Sequence, residues 1–213
     1  MNKKVRRFCM CVMGVIACAI AVGIFKLAAF GVDPFQVFMG GLDELIPIQF
    51  GTLYVIVNVV LLLFSLLFDK HYIGIATFVN LFLVGYIVEF SYLLLLDFFP
   101  AIGIIGRFIA FAIAILLICI GSAFYYVADL GVSTYDAIPL ILAHTWKVWQ
   151  FKYIRIIADF ICVAIGTALF FLSGGTWFEL LAIVGVGTIL IASCMGPLID
   201  YFIRKVAQPF LDR

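Results

Sequence analysis

Phe30-Gly31-Val32-Asp33-Pro34-Phe35-Gln36 returns one hundred positions later as Leu130-Gly131-Val132-Ser133-Thr134-Tyr135-Asp136. Outward from this pair the matches continue. Arg7-Phe8 has a counterpart in Arg107-Phe108, and Gln49-Phe50 in Gln150-Phe151. Ile73-Gly74-Ile75-Ala76-Thr77, followed by Gly85 and Glu89, recurs as Val184-Gly185-Val186-Gly187-Thr188, followed by Gly196 and Asp200. The chain therefore reads as two copies of one unit, residues 1–100 and 101–213, within one membrane domain. A duplicated hydrophobic unit is the plan on which many transporters are built.

Composition fixes the solvent. Hydrophobic residues make up 67% of the chain, charged residues 12%, and the mean hydropathy is +1.29. A soluble domain carries about 25% charged residues, and a chain this small cannot hide so much apolar surface from water. Crossing a bilayer takes about 20 apolar residues as a helix. Six segments qualify or nearly so: 5–29, 51–69, 72–97, 105–128, 151–172 and 177–203. The expected fold is all-α, a polytopic bundle of two repeats with three transmembrane helices each.

Each repeat also holds a shorter piece, 34–45 and 134–146. Asp33 before Pro34, and Ser133 before Thr134, are good N-cap arrangements. Twelve helical residues reach about 18 Å, short of a crossing. These pieces read as interfacial or as re-entrant helices, and the sequence leaves both open. An odd number of spans per repeat inverts the second copy relative to the first. Matched sites then face each other across a pseudo-two-fold axis in the membrane plane.

Basic residues set the orientation. With six spans and an inner N-terminus, Lys3, Lys4, Arg6, Arg7, Lys70, Lys147, Lys152, Arg204, Lys205 and Arg213 gather at the inner side. Asp33, Asp43, Glu44, Asp97 and Glu179 face outward, together with the basic exceptions Arg107 and Lys26. This places the chain in the cytoplasmic membrane with both termini inside. The basic start and Cys18 have the look of a cleaved leader, but the apolar run continues to about Ala29 and is matched in the second half. It reads as a retained span.

Polar groups within spans are costly and need a reason. Aligning the Gln-Phe pairs sets Asn58 opposite Asp159. Arg155 and Asp159 are spaced i, i+4 and can pair on one helix face. That pair either stabilises one helix or, with Asn58, binds a cation or relays a proton. Asp200 and Arg204 have the same spacing nearer the inner surface, where a plain ion pair is the simpler reading. Glu89 has no basic neighbour in sequence and is the leading single candidate for a protonatable group. Asp33, Ser133 and Asp136 complete the set of substrate- or ion-binding candidates, at turns whose helix N-termini favour anionic groups.

No catalytic motif is visible, and no cofactor or metal site is expected. The six cysteines lie in apolar runs without metal-ligand spacing, and the few basic residues give no nucleic-acid footprint.

The two Gly-Val-Asp/Ser-Pro/Thr-Phe/Tyr-Gln/Asp copies, the later Gly-x-x-Thr helices and the Gly-x-x-x-Glu/Asp positions resemble the bacterial YczE/YyaS/YitT membrane-protein family. The first copy carries Gln36 where that pattern prefers Asp. The resemblance implies a bacterial cytoplasmic-membrane protein and covers nearly the whole chain. The expected function is a small secondary transporter or exporter with its site between inverted repeats. The alternative is a non-transporting scaffold or partner subunit, and a channel is a weaker third reading. Expected partners are the lipid bilayer, a small-molecule or ion substrate, and a second copy in a homodimer.

Overall fold

The computed structural model describes residues 3–48, 50–176, 180 and 184–212, and no strand occurs among them. In chain order the first half holds α1 (Lys3–Ala28), α2 (Pro34–Leu45), α3 (Phe50–Phe68), a 3-10 turn (Lys70–Tyr72), α4 (Ile75–Phe82) and α5 (Val84–Phe98). The second half holds α6 (Ile104–Ala128), α7 (Thr134–Leu140) continued by a π-turn (Ile141–Thr145), and α8 (Phe151–Leu172). It ends with α9 (Val186–Phe202), a second π-turn (Ile203–Ala207) and α10 (Gln208–Asp212). Glu179 and most of the first turns expected for the last span lie outside the described residues.

Among the described residues, four stretches are long and apolar enough to cross a membrane: α1, α6, α8 and Val186–Asp212. The 19 residues of α3 reach about 28 Å, close to the hydrocarbon thickness. The expected single span over 72–97 is instead α4 and α5, meeting at 49° around Leu83. The Asn80 side-chain amide donates to the Ala76 carbonyl at 2.9 Å, competing for a helix acceptor. Gly85 follows the break with open space around it. Together these lower the cost of a bend.

The centre of the bundle is the crossing of α1 and α6. Contacts run in opposite numerical order along the two helices: Arg7 reaches Asp129, Gly14 lies on Gly121, Cys18 donates to the Ile118 carbonyl, and Arg107 reaches Ala28. The helices are therefore antiparallel. Small residues let the backbones close up without lipid between them. A Cβ on Gly14 would lie 2.6 Å from the Gly121 carbonyl oxygen, and one on Gly121 would lie 2.8 Å from that of Gly14. Ala19, Ala21, Ala114 and Ala123 on these two helices are fully buried.

Each long helix then turns back through a left-handed pair. Ala29 (φ 51°) and Gly31 (φ 112°) end α1, and Asp129 (φ 57°) and Gly131 (φ 99°) end α6. These turns dock on the other half of the chain. The Phe30 carbonyl accepts from the Gly187 N–H at 2.9 Å, and the Leu130 carbonyl accepts from the Ala76 N–H at 3.0 Å. Gly74 and Gly185 permit this approach, since a side chain at either would strike the opposing carbonyl. The Thr188 hydroxyl adds a bond to the Val32 carbonyl at 2.6 Å.

The short helices cross over in the same sense. Helix α2, from the first half, packs on α8 of the second, and α7, from the second half, packs on α3 of the first. Gly41 and Gly166 bring α2 and α8 into backbone contact. The π-turn after α7 follows from Pro139, which lacks an N–H and crowds the preceding turn, so the helix widens until the Trp146 N–H meets the Ile141 carbonyl at 2.9 Å.

A buried ion network as the candidate functional site

The first turn of α7 organises the site. The Ser133 hydroxyl caps it, accepting from the Asp136 N–H at 3.1 Å. Three consecutive side chains then reach three separate targets. The Thr134 hydroxyl donates to Asn58 Oδ1 on α3 at 2.6 Å. The Tyr135 hydroxyl donates to Asp159 Oδ1 on α8 at 2.5 Å. The Asp136 carboxylate accepts from the Tyr125 hydroxyl on α6 and pairs with the Arg155 guanidinium on α8.

Arg155 closes the network. Its Nε donates to Asp159 Oδ2 at 3.2 Å, and its guanidinium lies 4.7 Å from the centre of the Tyr135 ring. Asp159 is fully buried, and Arg155 and Asp136 expose only 5% and 9% of their surface. A charge withdrawn this far from water must be paired and hydrogen-bonded to persist. Here each is. The balance is nevertheless uneven, because one guanidinium faces two carboxylates.

Asp33 adds to the acidic side. It caps α2, accepting from the N–H groups of Phe35 at 3.1 Å and Gln36 at 3.3 Å, and interacts electrostatically with both Asp159 and Arg155. The positive end of α2 favours its carboxylate. Asn58 is also tied back to its own helix, its amide donating to the Tyr54 carbonyl at 2.8 Å.

Beside the network Phe35 and Tyr135, one hundred positions apart in sequence, stack with centroids 5.0 Å apart and planes at 26°. They form one end of a cavity of about 330 Å³ framed by α2, α3, α7 and α8. Its exposed lining is apolar throughout; the Tyr135 hydroxyl is turned away toward Asp159, with the Cys162 thiol 3.7 Å from it. Tyr135 thus stands between the cavity and the buried carboxylate of Asp159.

The structure brings together six of the sequence candidates: Asn58, Asp33, Ser133, Asp136, Arg155 and Asp159. Two lie elsewhere. Glu89 sits on the exposed face of α5, because Val88 and Ser91 take the buried face against α1, where Gly23 meets Ser91. Asp200 pairs with the exposed Arg204 at 3.1 Å, one turn along the same helix. Tyr125, Thr134 and Tyr135 were not singled out from sequence. Their signal was present in the sequence comparison: the positions one hundred earlier hold Phe25, Pro34 and Phe35, so each hydroxyl occurs in only one member of its pair.

A second polar group lies at the end of α6. Asp129 pairs with Arg7 at 3.3 Å and with the His71 imidazole at 2.8 Å. Nearby, the Thr145 hydroxyl donates to Asp69, which lowers the Asp69 pKa below the ordinary carboxylate value, and Tyr72 meets His144 at 3.2 Å. Among the described residues no group of His, Cys, Asp and Glu side chains is placed to hold a metal ion.

Residues 5–204 match the family of unknown function DUF6198, and the chain belongs to that family. It is 21% identical over 202 residues to the uncharacterized protein YyaS of Bacillus subtilis (strain 168), a match spanning 94% of each chain. No solved structure matches it significantly. With its apolar helices, the chain is an integral membrane protein of an uncharacterised family that has a bacterial relative.

Proposed function

We propose that the protein is a small secondary transporter of the bacterial cytoplasmic membrane, built from two inverted three-span repeats with both termini inside. Its substrate site is the interface framed by α2, α3, α7 and α8, and its movement is coupled to protonation of the buried carboxylates.

One observation carries this reading. A single arginine, Arg155, faces Asp136 and Asp159 within the bundle, with Asp33 close by. An unbalanced carboxylate inside a membrane is costly unless a proton or a cation neutralises it. Exchange of that proton for a substrate is a means of coupling, and Tyr135 joins the two regions, its ring lining the cavity and its hydroxyl donating to Asp159. The inverted-repeat part rests on matched contacts. Arg7 at the end of α6 is paralleled by Arg107, which donates to the Ala28 and Ala29 carbonyls at the end of α1, both at 2.7 Å. The bond from Ala76 to Leu130 is paralleled by that from Gly187 to Phe30. The wider kinship with the YczE/YyaS/YitT proteins belongs to the same proposal.

The test is proton movement in proteoliposomes loaded with a pH-sensitive dye, challenged with a panel of ions and small organic solutes. The expected result is solute-dependent proton flux in the wild type and none in Asp159→Asn. No flux for any solute would sink the proposal. A second reading, a non-transporting scaffold, draws on the mutual pairing of Arg155 with both carboxylates. It expects Asp159→Asn to alter stability while flux is absent throughout.

A further inference from the structure

We infer that the cavity between α2, α3, α7 and α8 binds a lipophilic organic cation. This deepens the transport proposal by naming a substrate class for the same site. The shape and lining come first. About 330 Å³ of space is lined by the rings of Phe35, Phe38 and Tyr135 and by Ile157, Ile161 and Ile165 of α8, the three isoleucines being about half-exposed, so that the space opens at the surface of the bundle. A small hydrophilic solute would find almost nothing there to replace its water. A bulky apolar molecule finds close contacts throughout.

Charge then chooses among apolar molecules. The carboxylates of Asp136 and Asp159 outnumber the Arg155 guanidinium, and Asp33 adds to that excess from the N-terminus of α2. In a medium of low dielectric this imbalance extends into the adjoining cavity with little screening. Aromatic walls strengthen the preference, since ring faces attract cations and repel anions. An anionic lipophile of the same shape would meet the same apolar walls and the opposite electrostatics.

The experiment is equilibrium binding to the purified full-length protein in neutral detergent. Tetraphenylphosphonium is the probe, and tetraphenylborate, nearly the same in shape and opposite in charge, is the comparison. The expected result is saturable binding of the phosphonium and at least tenfold weaker binding of the borate. Ile161 lines the cavity yet is half-exposed, so Ile161→Trp should fold while filling the space and weakening phosphonium binding about tenfold or more. Ile109→Trp, on the exposed face of α6 away from the cavity, should change nothing. Equal binding of the two ions, or full binding by Ile161→Trp, overturns the inference. Binding without any solute-driven flux in proteoliposomes would leave this site standing and remove the transport proposal. Flux without phosphonium binding would do the reverse.

Discussion

Replacing Arg155 by methionine tests the energetics of the network directly. Methionine retains most of the volume of the stem and removes the guanidinium. Two buried carboxylates, Asp136 and Asp159, then lose the cation that each contacts. Breaking a buried pair in this way typically costs about 3–5 kcal/mol, because the stranded charge remains desolvated. The same change at Arg204, whose side chain is 69% exposed beside Asp200, should cost less than about 1 kcal/mol. The triple variant Arg155→Met, Asp136→Asn, Asp159→Asn removes charge on both sides and leaves Tyr125 and Tyr135 with amide oxygens to donate to. It should recover at least about 2 kcal/mol of the single-variant loss, since neutralised partners avoid the stranded-charge penalty. Reversible unfolding in mixed detergent, followed by circular dichroism and extrapolated linearly, measures all three. If Arg155→Met is no more damaging than Arg204→Met, or if the triple variant is worse than the single, the network is not held as described.

Further outcomes follow from other contacts. Gly41→Ala should cost about 2–3 kcal/mol, because its Cβ would strike the Gly166 carbonyl, whereas Gly40→Ala, with nothing within 4 Å, should gain about 0.5–1 kcal/mol. Thermal unfolding in detergent distinguishes the two. Arg107→Gln should cost about 1–2 kcal/mol by removing two bonds and a positive charge from the carbonyl end of α1. Asp69 has a lowered pKa in the folded protein, owing first to the Thr145 hydroxyl, so its contribution is present above the ordinary carboxylate pKa of about 3.9 and lost as pH falls through the folded value. Thr145→Val should therefore lower the thermal midpoint at pH 7 and match the wild type in strong acid, as read by scanning fluorimetry over pH.

Much of the architecture was legible because its signals are local. The bounds of the first short helix, 34–45, follow from a cap and a proline at one end and an apolar face that stops at Leu45, and they agree with Pro34–Leu45 in the structure. The spacing of Arg155 and Asp159 likewise announces a contact within one helix. What the sequence withheld depends on how helices face one another. Glu89 was the leading candidate because it lacks a basic neighbour, yet one residue of helical phase, set by Val88 and Ser91 against α1, leaves it on the exposed face. Tyr125 reads as an ordinary aromatic within an apolar run and Tyr135 as one residue of the apolar face of a short helix, since only the crossing of α6, α7 and α8 turns their hydroxyls toward carboxylates. The bend at Leu83 was hidden for a related reason. Its causes, a side-chain bond from Asn80 and an unpacked Gly85, leave the hydropathy of the segment unchanged.

The central claim is that the buried acidic excess exchanges protons as part of transport. Transient currents from proteoliposomes adsorbed on a solid-supported membrane, evoked by pH jumps, test it most directly. The expected result is currents in the wild type, their loss in Asp159→Asn shown to be folded, and their persistence in Glu89→Gln, whose side chain lies on the exposed face of α5. Currents unchanged by Asp159→Asn, or absent from the wild type at every pH, would contradict it.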